Sequence, residues 1–121
     1  MQLLSDGIMK KMNFKLVKIR TTVPLENADA MREALGKAGG GAIGNYSYCS
    51  FSVTGKGGFK PNENAKPHIG TANKFETVEE EQIEVACDRK IAKQVIAVLR
   101  KTHPYEEPII DIFPLISEED L

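Results

Sequence analysis

Four segments of the chain alternate apolar and polar residues with a period of two, which is typical of β-strands. In the first segment, Val17 and Ile19 share one side and Lys18 lies on the other. The four segments are Phe14–Val23, Tyr46–Thr54, Phe75–Cys87 and Pro108–Leu115. Because proline donates no backbone hydrogen bond, Pro108 and Pro114 predict that the last strand lies at a sheet edge.

Two further segments carry apolar residues at helical spacing. Within Glu26–Ala38, Asn27 is a plausible N-cap, and the stripe comprises Ala28, Met31, Leu35 and Ala38. The glycines that follow can end this helix, since glycine readily adopts the left-handed conformation. The second helix begins after its cap Asp88 and must end before Pro104. Its stripe comprises Ile91, Val95, Val98 and Leu99.

The predicted order is strand, helix, strand, strand, helix, strand, with a connection of about 19 residues (Gly55–Asn73) in the middle. Such a repeated unit predicts an α+β, ferredoxin-like βαββαβ domain, in which an antiparallel four-stranded sheet carries both helices on one face. The other face would be open, and we expect Tyr46 and Tyr48 to look out there or toward a partner. This arrangement predicts a homo-oligomer. Residues 1–12 read as a leader, 13–115 as the domain and 116–121 as a tail.

Bulk composition limits the classes of partner. The 121 residues carry a net charge of −1 and are 41% hydrophobic, so the whole chain is not drawn to nucleic acid or to an anionic membrane. No apolar run approaches the roughly 18 residues that a membrane helix needs, and the first residues do not resemble a secretory signal. Cys49 and Cys87 are far apart, which favours a reducing, cytoplasmic setting.

Four motifs occur along the chain in a distinctive order. They are GGGAIGNYSYCSF (39–51), GKGGFKP (55–61), PHIG (67–70) and HPYEEP (103–108). Together they closely resemble the YqfO-type domain of the Ngg-interacting-factor-like proteins, also called GTP cyclohydrolase I type 2 homologues. The chain is similar to the short standalone form of that domain.

The resemblance implies a fold similar to the PII and CutA proteins, and therefore a trimer. It implies that the connection Gly55–Asn73 corresponds to the mobile effector loop of PII-like proteins. The larger family carries a two-metal site in flanking domains, so we carry over neither that site nor a cyclohydrolase activity.

Glycine-rich stretches supply the candidate ligand-binding residues. Exposed backbone amides around a glycine-rich turn can hold an anion, and lysines nearby can meet a phosphate or an acidic partner. The candidates are Gly41, Gly44, Asn45, Lys56, Gly57 and Lys60. The alternatives are a helix stop with a tight strand entry for the first three, and a flexible solvated loop for the others.

A second candidate site could hold a divalent metal such as zinc. Imidazole and carboxylate ligands suit such an ion, and His103 with Glu106 could provide them, together with His68 or Glu84 from another subunit. The alternative is a structural turn whose histidine caps helix carbonyls.

Three functions remain open at this point. The first is a non-catalytic trimeric module that binds or senses a small ligand or a metal. The second is a regulatory subunit that docks on another protein, and the third is a metal-assisted hydrolase that uses His103 and Glu106.

Overall fold

The computed structural model describes residues 13–121, and the predicted leader lies outside them. The strands are β1 (Leu16–Pro24), β2 (Phe51–Phe59), β3 (Glu76–Asp88) and β4 (Ile110–Leu115), and the helices are α1 (Ala28–Lys37) and α2 (Ala92–Thr102). Short 3-10 turns span Leu25–Asn27, Arg89–Ile91 and Glu118–Asp120. The strands pair in the order β2-β3-β1-β4, and every pair is antiparallel. The α+β, ferredoxin-like prediction is confirmed, including the edge position of β4.

The core lies between the central strands and both helices. Val17 pairs with Cys87 and Ile19 with Val85, so alternate residues of β1 and β3 face the same side. There they meet the helix residues Ala28, Met31, Leu35, Ala92, Val95 and Leu99 in one buried cluster. Each large side chain buried in this way contributes about 1.5–3 kcal/mol to folding. Both helices therefore cover one face of the sheet.

The predicted helix signals are confirmed at three of four ends. The carboxylate of Asp88 accepts a hydrogen bond from the amide of Lys90, which caps the turn leading into α2. Helix α2 ends at Thr102, ahead of Pro104, and α1 ends just before the glycines. Asn27 occupies the N-cap position of α1, but its side chain makes no capping hydrogen bond.

The second strand was predicted too early in the chain. It begins at Phe51 rather than Tyr46, because Gly44 and Tyr48 both adopt positive φ angles that a strand cannot contain. The backbones of Ile43 and Tyr46 instead bond to each other across a two-residue turn. We call residues 39–50 the glycine hairpin.

Tyr48 also lies elsewhere than expected. A Cβ on Gly36 would overlap its ring, so the ring lies directly against α1, on the helix side of the sheet. Tyr46 is largely exposed at the tip of the glycine hairpin. The expected position on the open sheet face is wrong for Tyr48, because its backbone turns it toward the helix. The alternative, a contact with a partner, stays a prediction.

Strand β2 continues through the glycines to Phe59, where a loop was predicted. The strand tolerates these glycines because it is an edge strand paired only with β3. The connection to β3 is therefore residues 60–75, which we call the long loop. It folds back on itself, since the amide of Asn73 donates to the carbonyl of Pro61 at 2.7 Å.

The open face of the sheet carries charges framed by apolar side chains. Arg20 of β1 contacts Asp111 of β4 at 3.1 Å, and Lys18 contacts Glu84 of β3 at 3.4 Å. Glu84 of β3 thus pairs with basic residues of the neighbouring strand. Phe51, Val53 and Phe113 remain exposed around these pairs. None of the helices within residues 13–121 is long and apolar enough to cross a bilayer.

Candidate functional site

The turn that follows α2 is fixed by a buried histidine. Proline 104 ends the helix, and His103 adopts an extended conformation with its ring beneath β1. Its Nε2 donates to the carbonyl of Thr22 at 2.7 Å, and its Nδ1 accepts from the amide of Tyr105 at 3.1 Å. This pattern requires the neutral ring, protonated at Nε2. Burial accordingly lowers the pKa of His103 below its usual value.

Tyr105 reaches from this turn to a buried carboxylate. Its hydroxyl donates to Oε2 of Glu80 on β3 at 2.8 Å, and Glu80 is only 7% exposed. Burial, followed by the hydrogen bond to Glu80, raises the pKa of Tyr105 above its ordinary value. The hydroxyl is therefore held as a donor to the carboxylate.

Gly57 makes room for this pair. A Cβ at Gly57 would lie 2.6 Å from the carboxylate carbon of Glu80, which is closer than packing allows. At Gly55, two residues earlier on the same strand, a Cβ would meet nothing within 4 Å. The glycine at position 57 thus allows the Glu80 carboxylate to lie directly over β2.

The long loop is fastened to the same turn. The amide of Lys66 donates to Oε1 of Glu106 at 2.8 Å. The ring of Tyr105 packs near Phe59 and His68, with ring centres 6.3 Å apart in each case. Thr21, fully buried in β1, donates to the carbonyl of Ile109 at 2.7 Å and fixes the approach to β4.

These contacts enclose a cleft of about 420 Å³ at one end of the open sheet face. Such a volume falls within the range of small-molecule sites in proteins, roughly 300–1,000 Å³. Its floor includes Glu80, Thr22 and Gly57, and Tyr105 forms one wall. The long loop and the approach to β4 complete it with Phe59, Lys60, Pro61, Ala65, Pro67, His68, Ile69, Glu106, Glu107 and Ile109.

The predicted ligand-binding residues lie in three places. Gly57 and Lys60 line the cleft. Lys56 lies opposite Glu79 in the sheet register, so it faces the helix side. The other three, Gly41, Gly44 and Asn45, lie in the glycine hairpin. That hairpin joins β3 at Ala86, six residues and therefore about 20 Å along the strand from Glu80.

Three of the predicted metal ligands lie near one another but differ in accessibility. His68 and Glu106 line the cleft, whereas His103 lies behind Tyr105 with both ring nitrogens bonded to backbone groups. His103 could bind a metal only by giving up one of these bonds. Within residues 13–121, no group of three or more histidine, cysteine or acidic side chains is arranged to hold a metal ion. The metal site stays a prediction.

The most informative residue of the cleft was not singled out from the sequence. Glu80 belongs to an acidic run that favours a solvated surface, and Glu84 of that run does lie at the surface in ion pairs. Strand alternation places Glu80 and Glu84 on the same face. The proximity of Tyr105, 25 residues away along the chain, appears only in the folded protein.

Several bacterial proteins are similar to this chain in sequence and in fold. No family model matches the chain. It is 48% identical over 103 residues to a GTP cyclohydrolase 1 type 2 homolog of Halalkalibacterium halodurans, which covers 85% of this chain and 28% of that protein. The Bacillus subtilis protein of the same name is 45% identical over 100 residues, covering 83% of this chain and 27% of that protein. The chain thus spans little more than a quarter of these relatives.

Solved structures show the same fold both as one part of a longer protein and as nearly the whole of a short one. A Bacillus cereus protein related to NIF3 matches with a TM-score of 0.74 and 38% identity, over 86% of this chain and 26% of that one. The Archaeoglobus fulgidus protein described as a periplasmic divalent cation tolerance protein, CutA, matches with a TM-score of 0.62. It is 20% identical and is covered over 89% of its length, so it shows the fold alone. The chain's homologues are the GTP cyclohydrolase 1 type 2 homologs of the NIF3/YqfO family, and the chain is similar to one segment, about a quarter, of those proteins.

Proposed function

We propose that the chain is a non-catalytic binding module that takes a small molecule in the cleft beside Tyr105 and Glu80. The observation that carries the proposal is the pair itself. A carboxylate that is 7% exposed, bonded by a partly buried tyrosine, lines a cleft whose surface is mostly apolar. Sites for small molecules typically combine apolar walls with a few polar groups of this kind.

The walls of the cleft favour binding without large rearrangement. The long loop is held by the Lys66–Glu106 bond on one side and by the Pro61–Asn73 bond at its base. His103 holds the facing turn through two backbone groups. A cleft whose walls are fixed in advance costs a ligand little ordering entropy.

Ligand binding can be tested by thermal unfolding against a panel of small molecules, nucleotides and divalent ions. Ala65→Trp should fill the cleft from the long loop, and Ala72→Trp is the matched control because Ala72 is exposed and does not line the cleft. A ligand at ten times its Kd stabilises the native state by about 1.4 kcal/mol, which raises Tm by about 5 °C.

We expect hits that stabilise wild type and Ala72→Trp but not Ala65→Trp. A panel in which no compound separates the two variants would contradict the proposal. Elemental analysis of the purified protein tests the predicted zinc or other divalent ion directly.

We also propose that the module works as a homo-oligomer, most simply a trimer, assembled through the open sheet face. Phe51 and Val53 are 65% and 44% exposed there, next to acidic and basic residues that can pair with those of a second copy. Apolar side chains that are exposed together on one surface often mark a contact with another protein.

Two neighbouring residues of β2 provide a matched test. Val53→Lys places a charge on the open face, whereas Thr54→Lys places the same charge on the opposite face of the strand. Light scattering should give an oligomer for wild type and Thr54→Lys and a smaller species for Val53→Lys. A wild-type monomer at micromolar concentration would contradict the assembly.

A further inference from the structure

The Glu80 carboxylate has one oxygen bonded and one without a donor. Oε2 accepts from Tyr105, and no donor within residues 13–121 is bonded to Oε1. Oε1 is not among the fully buried unpaired atoms of the described chain, so it is accessible from the cleft that Glu80 lines. No lysine, arginine or histidine of the described chain lies within ion-pair distance of Glu80. A carboxylate that is so deeply buried is normally paired, because removing a charge from water without compensation is costly. Oε1 of Glu80 can therefore accept a hydrogen bond from a donor group of a ligand.

The other charges around the cleft favour the same kind of ligand. Glu106 and Glu107 join Glu80 in lining the cleft, against the ammonium group of Lys60 and the imidazole of His68. Three carboxylates against one ammonium give a field that attracts positive charge. The position of Lys56 on the other side of the sheet removes one of the two lysines on which the anion prediction depended.

Apolar and aromatic side chains define the rest of the ligand. Phe59, Pro67, Ile69 and Ile109 line the cleft, and the ring of Tyr105 stands between Phe59 and His68. Flat rings pack well against such walls, and aromatic faces attract cations. A body of one or two fused rings fits a volume of about 420 Å³.

We infer that the cleft takes a flat apolar molecule that carries an amine or another cationic nitrogen, and that this nitrogen binds Oε1 of Glu80. This inference rests on the proposed binding function and adds the class of ligand. Tyr105 is then a positioning residue, since its hydroxyl holds the carboxylate in place while the ligand occupies the other oxygen.

Matched ring compounds that differ in charge test the inference. Tryptamine is compared with indole-3-propionate, and phenethylamine with 3-phenylpropionate, by titration calorimetry at pH 7. Wild type is compared with Glu80→Gln, which keeps an acceptor for Tyr105 but removes the charge. Glu79→Gln removes a neighbouring charge on the opposite face of β3 and serves as the control. Circular dichroism confirms that all three proteins are folded.

We expect each amine to bind wild type and Glu79→Gln at least tenfold more tightly than its carboxylate partner. Glu80→Gln should lose that preference. Carboxylates that bind as well as amines, amines that do not bind, or an unchanged preference in Glu80→Gln would each overturn the inference. If compounds of the earlier panel still separate the Ala65→Trp and Ala72→Trp variants, the binding function survives and only the ligand class is wrong.

Discussion

Replacing Gly57 by alanine tests the central packing of the cleft. The added methyl group would lie 2.6 Å from the carboxylate carbon of Glu80, so the carboxylate must move and release the hydroxyl of Tyr105. Losing a hydrogen bond to a charged group costs about 1.5–3 kcal/mol. Alanine reduces the entropy of the unfolded chain and returns about 0.4–1 kcal/mol. We therefore expect Gly57→Ala to lower the free energy of unfolding by about 1–2 kcal/mol.

The same change two residues earlier is the control. Gly55 lies on the same strand and the same face, but its Cβ would meet nothing, so Gly55→Ala should be neutral or slightly stabilising. Urea unfolding followed by circular dichroism, at one protein concentration, measures both variants. In a Glu80→Ala background the methyl group has room, and Gly57→Ala should then cost nothing.

Equal stability of Gly57→Ala and Gly55→Ala would refute this reasoning. It would mean that the Glu80 side chain finds another position at no cost, and hence that the bond from Tyr105 does not fix it. The reasoning would also be refuted if Gly57→Ala still lowered the free energy of unfolding in the Glu80→Ala background. The loss of stability would then arise in the backbone of β2 and not from the displaced carboxylate.

Two further predictions concern the glycine hairpin and the buried histidine. Gly41 and Gly44 both have positive φ, but only at Gly41 would an added Cβ strike backbone, that of Cys49. In urea unfolding, Gly41→Ala should therefore lower the free energy of unfolding by several kcal/mol more than Gly44→Ala does. Equal losses in the two variants would contradict this. Burial lowers the pKa of His103, so the unfolded chain binds its proton more readily than the native protein does. The neutral His103 therefore stabilises the native protein fully above pH about 6.5, and this stabilisation is lost as the pH falls. The urea midpoint of wild type should fall between pH 7.5 and 5.5, and it should fall less in His103→Asn. An unchanged slope would show that another group controls it.

The sequence was sufficient for the parts of the fold that local pattern determines. Strands β1 and β3 alternate cleanly because one side packs on the helices, and Asp88 and Pro104 mark the two ends of α2 by their own chemistry. Strand β2 was misplaced because its glycines resemble a loop. Two of them are explained only by what packs against them, the Glu80 carboxylate at Gly57 and the Phe75 ring at Gly58.

Only part of the candidate site was predicted, because the rest depends on contacts between distant segments of the chain. The turn 103–108 was recognised as one of four distinctive motifs, and His103 and Glu106 were singled out within it. The partner of the Tyr105 hydroxyl depends on sheet register and on the path of the long loop. Those are tertiary relationships between β3, β2 and the turn, and no local pattern encodes them.

Nuclear magnetic resonance tests most directly whether the cleft beside Tyr105 and Glu80 binds small molecules. Amide shifts of the ¹⁵N-labelled protein can be followed while the compounds that stabilise it are added. We predict that the shifts concentrate at residues 57–61, 65–69 and 105–109. Shifts centred on the glycine hairpin, or spread evenly over the protein, would contradict binding in the cleft.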